Sequence, residues 1–159
     1  MNDKVSVKIT VWFMICIFFL GIIFTFVIYS NEVYANKIHL ENEIDMTGQV
    51  KYCIDSIEIT DEYITISGWA GKAGQNIELF DTNILLRLDG DQDFYCLRTE
   101  LMLREDLKEY EGYSFEKGGF VSLIEKKQLE KNKTYHIYIW YKNDNLDLIV
   151  PTEHSVEVE

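Results

Sequence analysis

The sequence predicts an antiparallel β-sandwich of about seven to eight strands, preceded by one N-terminal transmembrane helix. A long charge-free apolar run near the N-terminus predicts the helix. From Val50 onward, short runs of β-branched and aromatic residues alternate with turn residues, a pattern typical of a sandwich or barrel. Roughly 110 to 130 residues remain after the apolar run, which is enough for one domain with one hydrophobic core.

The predicted helix covers residues 9–30, a stretch of 22 residues without a charged side chain. At a rise of about 1.5 Å per residue, such a helix crosses a hydrocarbon layer of about 30 Å. Lys4 and Lys8 precede it, so the positive-inside rule makes residues 1–8 a cytoplasmic tail. The chain is therefore expected in the cell membrane as a single-pass protein, in contact with lipid through this helix and with its C-terminal domain outside the cytoplasm.

A cleaved signal peptide is the alternative interpretation of this segment. Val33-Tyr34-Ala35 offers the residue spacing that a signal peptidase recognises. The apolar run is longer than the usual 7 to 15 residues of a signal peptide core, which favours a retained anchor. Residues 31–49 are polar without a sustained period, so a stalk is expected there, followed by the domain at residues 50–159.

The charge distribution limits the partners of the domain. The formal net charge of the chain is −12, of which Asp3, Lys4 and Lys8 contribute +1, so the residues after them carry −13. Phosphate recognition needs a basic surface, and nucleic acid is therefore not expected as a ligand. An envelope protein or a neutral glycan remains as a possible partner.

The cysteines and histidines indicate no metal or cofactor site. Cys16 lies in the apolar run, which leaves Cys53 and Cys96 in the domain, where they either form one disulfide or remain buried free thiols. The acidic run from Asp89 to Asp93 with Glu100 resembles a calcium loop, but Phe94 occupies the position that needs glycine. A solvated hairpin tip is therefore expected there.

The strands follow from alternation and turn residues. Residues 50–60 and 63–70 predict a hairpin around Asp61-Glu62, and residues 83–89 and 94–101 predict a second hairpin around Asp89-Gly90. Residues 104–110 predict a short helical turn with Asp106 as its N-cap. Four more strands are expected at 120–124, 134–141, 146–150 and 155–158, with Pro151 closing the third of these.

Several short motifs recur in one known kind of domain. They are Ser67-Gly68-Trp69-Ala70, Arg104-Glu105-Asp106-Leu107, Gly119-Phe120, and Leu129 followed by residues 135–139. This set resembles small bacterial β-sandwich accessory domains, found in exported proteins or appended to enzymes that build cell-surface glycopolymers. The resemblance implies a sandwich in a cell-envelope context and carries no active site.

The motif residues are expected to be structural. Trp69 is a large rigid filler of the core, and Gly68 allows a neighbouring backbone to come close. Arg104 and Asp106 can clamp the chain where it crosses after the second hairpin. Gly119 precedes the following strand, which Phe120 opens.

The strand at 134–141 carries the candidate binding residues. If Tyr135, Ile137, Ile139 and Tyr141 face inward, then His136, Tyr138 and Trp140 form a row on the outer face. Three outward rings either form a platform for stacking sugars or are covered by a second sheet, the stalk or a partner protein.

The sequence contains no motif for a nucleophile or a phosphate loop, so a non-catalytic binding protein of envelope polysaccharide assembly is the leading interpretation. A minimal glycan-processing enzyme with two paired carboxylates is the alternative.

Overall fold

The computed structural model describes residues 2–33, 35–41, 43–44, 48–77, 79, 81–143 and 146–159. Tyr34 of the alternative cleavage sequence and residues 42 and 45–47 of the predicted stalk lie outside the described residues. The chain divides into two compact units, Met1–Val33 and Tyr34–Glu159. The first unit is a helix and the second is a β domain.

The helix, α1, runs from Asn2 to Val33 and has 32 residues. Its described side chains, at residues 11–27, are all exposed, including those of Trp12, Phe18 and Phe26. Within the described residues, no helix has the length and apolarity that crossing a membrane requires.

The β domain contains ten strands in its described residues. They are β1 (Asn36–His39), β2 (Glu43–Ile44), β3 (Val50–Ile59), β4 (Tyr63–Lys72), β5 (Thr82–Leu88), β6 (Asp93–Cys96), β7 (Arg98–Met102), β8 (Gly119–Glu125), β9 (Lys133–Asn143) and β10 (Leu146–Val158). A six-stranded sheet has the order β1-β6-β5-β9-β10-β2, and a four-stranded sheet has the order β3-β4-β8-β7. All neighbours are antiparallel except β2 and β10. The predicted all-β class is confirmed, with mostly antiparallel strands, but the described residues form ten strands and not the expected seven to eight.

The two sheets share one hydrophobic core. The four-stranded sheet contributes Ile64, Ile66 and Phe120, each with no exposed surface, and the six-stranded sheet faces them with β5, β9 and β10. Fully burying an apolar side chain of this size contributes about 1.5–3 kcal/mol. The predicted inward face of β9 is confirmed, because its four members are at most 1% exposed. These members are Tyr135, Ile137, Ile139 and Tyr141.

The predicted stalk is corrected by the structure. Asn36–His39 pairs antiparallel with β6, and Glu43–Ile44 pairs parallel with β10, so both segments belong to the six-stranded sheet. They form its two edges. An edge strand is held by backbone hydrogen bonds on one side and exposes much of its surface, so polar residues suit it. That is why its composition suggested a solvated linker.

The second predicted hairpin is also corrected. The expected strand at 94–101 divides at Leu97, because β6 pairs with β5 whereas β7 pairs with β8 in the other sheet. Leu97 is 2% exposed, and its backbone N–H donates to the Ile84 carbonyl at 2.9 Å. The alternation of side chains continues through Leu97, where the chain passes from one sheet to the other. The sequence pattern therefore predicts a single strand.

Pro151 does not end a strand, contrary to the prediction. Strand β10 continues through it with an irregular register between Pro151 and Ser155. Proline lacks a backbone N–H, and an irregularity of this kind accommodates it within a pair. The Thr152 hydroxyl donates to the Ile137 carbonyl at 2.7 Å, which holds the displaced segment against β9.

Candidate functional site

The motif residues lie together on the four-stranded sheet, and Gly68 shows why the motif needs a glycine. Strand β3 pairs Ile54 with Gly68 and Ser56 with Ser67, so Asp55 is an extra residue that forms a bulge. A Cβ atom on Gly68 would lie 2.2 Å from the Cys53 carbonyl oxygen. The bulge therefore depends on the absence of a side chain at this position.

Arg104 connects this bulge to the segment that follows β7. Its Nη1 donates to Asp55 Oδ2 at 2.5 Å, while Nε and Nη2 each donate to one oxygen of Asp106 at 2.8 Å. The Arg104 side chain is only 17% exposed. The hydrogen bonds that Arg104 donates to Asp106, together with the charge of Asp55, raise the pKa of Arg104, so it stays a cation. The predicted clamp is present, and it joins β3 to the turn at 105–107.

The predicted N-cap role of Asp106 is wrong. The chain forms a 3₁₀ turn at Glu105–Leu107, and no side chain caps it by a hydrogen bond. Asp106 lies inside this turn, and both of its oxygens accept from Arg104. The same hydrogen bonding lowers the pKa of Asp106. Its carboxylate therefore binds Arg104 and does not cap the backbone of the turn.

Gly119 and Trp69 complete the motif cluster. A Cβ atom on Gly119 would lie 2.2 Å from the Met102 carbonyl oxygen and 2.6 Å from Arg104 Cγ. Trp69 pairs with Gly119 in register and is 8% exposed, so its predicted burial is confirmed. It lies in a second apolar cluster with Ile77, Leu107 and Phe115, separate from the main core. The motif residues thus have structural roles.

We expect Arg104→Met to reduce the sensitivity of the domain to acid. Asp106 has a lowered pKa in the folded chain, so its ion pair stabilises the fold above the unfolded pKa of about 3.9. That contribution is lost as the pH falls through the lower folded value. Urea unfolding from pH 7 to pH 2 should therefore show a smaller loss of stability in the variant than in the parent.

Lys37→Met provides the matched control for this measurement. Lys37 lowers the pKa of Asp91 in the same way at the opposite sheet, and Arg104 plays no part in that pair. Arg104→Met should remove the loss of stability in acid that comes from Asp106, and Lys37→Met should remove the loss that comes from Asp91. Equal acid profiles for the parent and Arg104→Met would show that the clamp is not formed.

The candidate binding row is placed on the outer face of the six-stranded sheet, as predicted. His136 is exposed, Trp140 is half-buried, and Tyr138 is only 8% exposed. The three side chains therefore differ in accessibility although they share one face. This face therefore does not form a flat platform of three exposed rings.

Tyr138 belongs to a third apolar cluster on this outer face. Arg87 donates from Nη2 to the Tyr138 hydroxyl, and its guanidinium carbon lies 4.6 Å from the Tyr138 ring centroid. Phe94 meets the same ring edge-on, with centroids 5.3 Å apart. Ile38 and Leu40 also pack against this cluster. Part of the segment predicted to be a stalk thus helps to cover the ring, and changing Tyr138 would empty a buried position.

Trp140 is engaged on one face and at its N–H. The ammonium of Lys142 lies 3.8 Å from the ring centroid, and the indole Nε1 donates to Asp147 Oδ1 at 2.6 Å. Lys142 also lies 3.6 Å from Asp81. A cation over an aromatic face is attracted by the ring quadrupole. A sugar would have to displace Lys142 in order to stack on that face of Trp140.

Four side chains of this face were not identified from the sequence. Arg87 and Phe94 lie over or against Tyr138, while Lys142 and Asp147 hold Trp140. Lys142 follows Trp140 by two residues, and this spacing on a strand was an available signal. Arg87 comes from a neighbouring strand, opposite His136, and only the register of β5 with β9 reveals it.

We expect Tyr138→Ala and Trp140→Ala to differ in stability. Removing the buried Tyr138 ring should lower the free energy of unfolding by about 3 kcal/mol, because a cavity remains under Arg87. Trp140 is half-buried, so its removal should cost on the order of 1 kcal/mol. Urea unfolding of both variants measures the difference. A larger loss for Trp140→Ala would contradict the assignment of Tyr138 to the buried cluster.

Two side chains of β1 contact the acidic hairpin tip. Lys37 Nζ lies 3.1 Å from Asp91 and 3.7 Å from Asp93, and His39 Nδ1 lies 3.1 Å from Asp93. Gly90 has a φ of +80°, which suits a tight turn. In the described part of the chain, no group of His, Cys, Asp or Glu residues is arranged to hold a metal ion.

The three cysteines are free thiols in the structure. Cys53 lies on β3 and Cys96 on β6, in different sheets. Partial desolvation raises the pKa of both thiols, and Asp55 adds to the effect at Cys53. Both are therefore mainly protonated at neutral pH.

No known protein family, curated protein or solved structure matches the chain. The function of the outer face is accordingly inferred from its own chemistry. That face combines rings with cations on a domain whose overall charge is strongly negative.

Proposed function

We propose that the chain is a non-catalytic protein, anchored in the cell membrane by α1, whose β domain lies outside the cytoplasm. The support is the charge-free run of 22 residues at 9–30, preceded by Lys4 and Lys8 and followed by an acidic domain. The described side chains of α1 are exposed and mostly large and apolar, as lipid contact would favour. The motif resemblance supports a role in envelope polysaccharide assembly.

The outer face of the six-stranded sheet is the proposed binding surface, and a protein is its proposed partner. The observation that carries this is the pairing of Tyr138 with Arg87 and of Trp140 with Lys142. Tyrosine, tryptophan and arginine dominate the energetics of protein interfaces. A glycan platform needs open ring faces, whereas here a cation of the same chain lies over the ring of Tyr138 and another lies over the ring of Trp140.

Site-specific photocrosslinking in native membranes tests this surface. A photoreactive residue in place of the exposed His136 should give a discrete adduct with an envelope protein. The same residue in place of Glu58, which is exposed on β3 of the other sheet, is the matched control and should give none. Introducing Trp140→Ala should reduce the His136 adduct.

Two results would count against the proposal. Identical adducts from positions 136 and 58 would show that the partner does not prefer the outer face of the six-stranded sheet. Retention of the parent chain on purified neutral cell-wall polysaccharide, lost in Trp140→Ala, would instead favour the glycan as the ligand.

A further inference from the structure

Arg87 differs from the other two arginines of the chain in what its guanidinium contacts. Arg98 and Arg104 both form ion pairs with carboxylates. Within the described residues, no carboxylate forms an ion pair with Arg87. The chain has 27 acidic side chains against 15 lysines and arginines, so an arginine without an acidic partner needs an explanation. Its charge is available to an anionic group of another molecule.

Two aromatic rings hold the Arg87 guanidinium on the outer face of the six-stranded sheet. The guanidinium carbon lies 5.2 Å from the ring centroid of Phe94 and 4.6 Å from that of Tyr138, and Nη2 donates to the Tyr138 hydroxyl. Arg87 itself is half-buried. A guanidinium has five N–H donors, so most of them remain for another acceptor. Because its planar fork is held in one orientation, it loses less entropy on binding a carboxylate.

The strand register places two further polar side chains beside Arg87. His136 on β9 is directly opposite Arg87 on β5, and Ser155 on β10 is directly opposite His136. Directly opposed residues share one face of a sheet, with Cβ atoms about 4.5–5.5 Å apart. Both side chains are exposed, and in the part of the chain that the structure describes neither forms a hydrogen bond or an ion pair. These three residues, the polar set, therefore have unused donors side by side.

We propose that the polar set binds the carboxylate of an aspartate or glutamate side chain of the partner protein. Arg87 supplies the positive charge and two parallel N–H donors, which match the two oxygens of a carboxylate. The imidazole of His136 and the hydroxyl of Ser155 add one hydrogen bond each. This inference rests on the proposed function, because it names the chemical group of the partner that the outer face receives.

The charges near the polar set favour a single carboxylate over a polyanion. Asp89 follows Arg87 by two residues, Asp91 and Asp93 lie in the same hairpin, and the net charge of the whole chain is −12. These charges repel a polymer that carries many negative groups. A single carboxylate that contacts Arg87 gains more from that contact than it loses to the more distant charges, which solvent and salt screen.

A zero-length crosslink tests for the carboxylate directly. Arg87→Lys places an amine in the polar set, and a water-soluble carbodiimide joins a contacting carboxylate to that amine as an amide while the reagent takes up water to become a urea. In native membranes we expect an amide between position 87 and an aspartate or glutamate of one envelope protein. Glu58→Lys, on the other sheet, is the matched control and should give no such amide. Mass spectrometry of the linked peptides identifies both residues.

Photocrosslinking measures how much the polar set contributes to binding. A photoreactive residue in place of Thr134, exposed on the same face two residues before His136, leaves the set intact. Arg87→Met retains an apolar stem against the two rings and removes the charge, so it should reduce the adduct from position 134 at least about tenfold. Ser155→Ala removes one hydrogen bond and should reduce the adduct only about threefold. Urea unfolding checks that each variant is folded.

The carboxylate site and the proposed function would fail in different ways. Absence of any adduct from positions 134 and 136 in the otherwise unchanged chain would remove the proposed function, and the site with it. A normal adduct in a folded Arg87→Met chain would overturn the site alone. If Arg87→Met does not fold, the amide at position 87 decides, and its absence overturns the site.

Two further results also decide the matter. Linkage of position 87 to an acidic polysaccharide would overturn the site, because its ligand would then not be a protein side chain. Arg87→Glu should abolish the adduct from position 134, and an arginine in place of the partner's linked acidic residue should restore it. Such a charge exchange would support direct contact, because a purely structural role of Arg87 cannot be restored from the partner.

Discussion

Trp69→Ala is expected to lower the free energy of unfolding by about 3–5 kcal/mol, as for other buried large aromatic residues. The indole lies with its centroid 5.3 Å from that of Tyr110 and 6.0 Å from that of Phe115. Ile77 and Leu107 complete the cluster around it. The loss approaches the whole stability of a domain of this size, so the variant should be partly unfolded at 37 °C.

Trp69→Phe is the control for this prediction. A phenyl ring retains much of the buried apolar surface, so the variant should keep a cooperative transition at an intermediate melting temperature. Thermal unfolding followed by far-ultraviolet circular dichroism measures both variants. A melting temperature of Trp69→Ala within a few degrees of the parent would show that the ring is not buried in this cluster.

Gly68→Val is expected to prevent the native pairing of β3 with β4. A Cβ atom would lie 2.2 Å from a backbone oxygen, and the backbone cannot yield easily because Asp55 is held by Arg104. It would also lie 3.0 Å from Phe120, whose ring belongs to the main core. Strain of this kind should cost more than about 3 kcal/mol. The expected result is loss of soluble folded protein, or a strongly shifted urea midpoint.

Gly21→Ala is the matched glycine control. A Cβ atom at Gly21 in α1 meets nothing within 4 Å, so the unfolding of the β domain should not change. Ser67→Ala, next to the bulge, removes only a 2.9 Å hydroxyl contact with Ser56 and should have a small effect. A folded Gly68→Val domain of parental stability would contradict the account of the bulge.

The parts of the fold that could be predicted from the sequence are those with local signals. Alternation along β9 placed Tyr135, Ile137, Ile139 and Tyr141 on the inward face, and all four are buried. The tight connection at Asp61-Glu62 is followed by Tyr63, whose carbonyl accepts from Thr60 N–H at 2.9 Å. These features depend on neighbours in the chain, so composition and period reveal them.

The remaining features depend on distant residues. The sheet change at Leu97 leaves the side-chain period intact, so only strand pairing reveals it. Whether Tyr138 is covered depends on Arg87 and Phe94 from other strands and on Ile38 near the start of the domain. The alternation along β9 predicted correctly on which face of the sheet Tyr138 lies, but it could not predict that this side chain is buried.

The central claim, display of the β domain outside the membrane, can be tested with a thiol that the chain already carries. Cys53 is exposed on β3, whereas Cys16 lies within α1. In intact spheroplasts at pH 8.5, which offsets the raised pKa of Cys53, a membrane-impermeant maleimide should label the chain. Cys53→Ser should abolish most of the labelling. Labelling of the parent only after the membrane is permeabilised would contradict the account, because the domain would then lie on the cytoplasmic side.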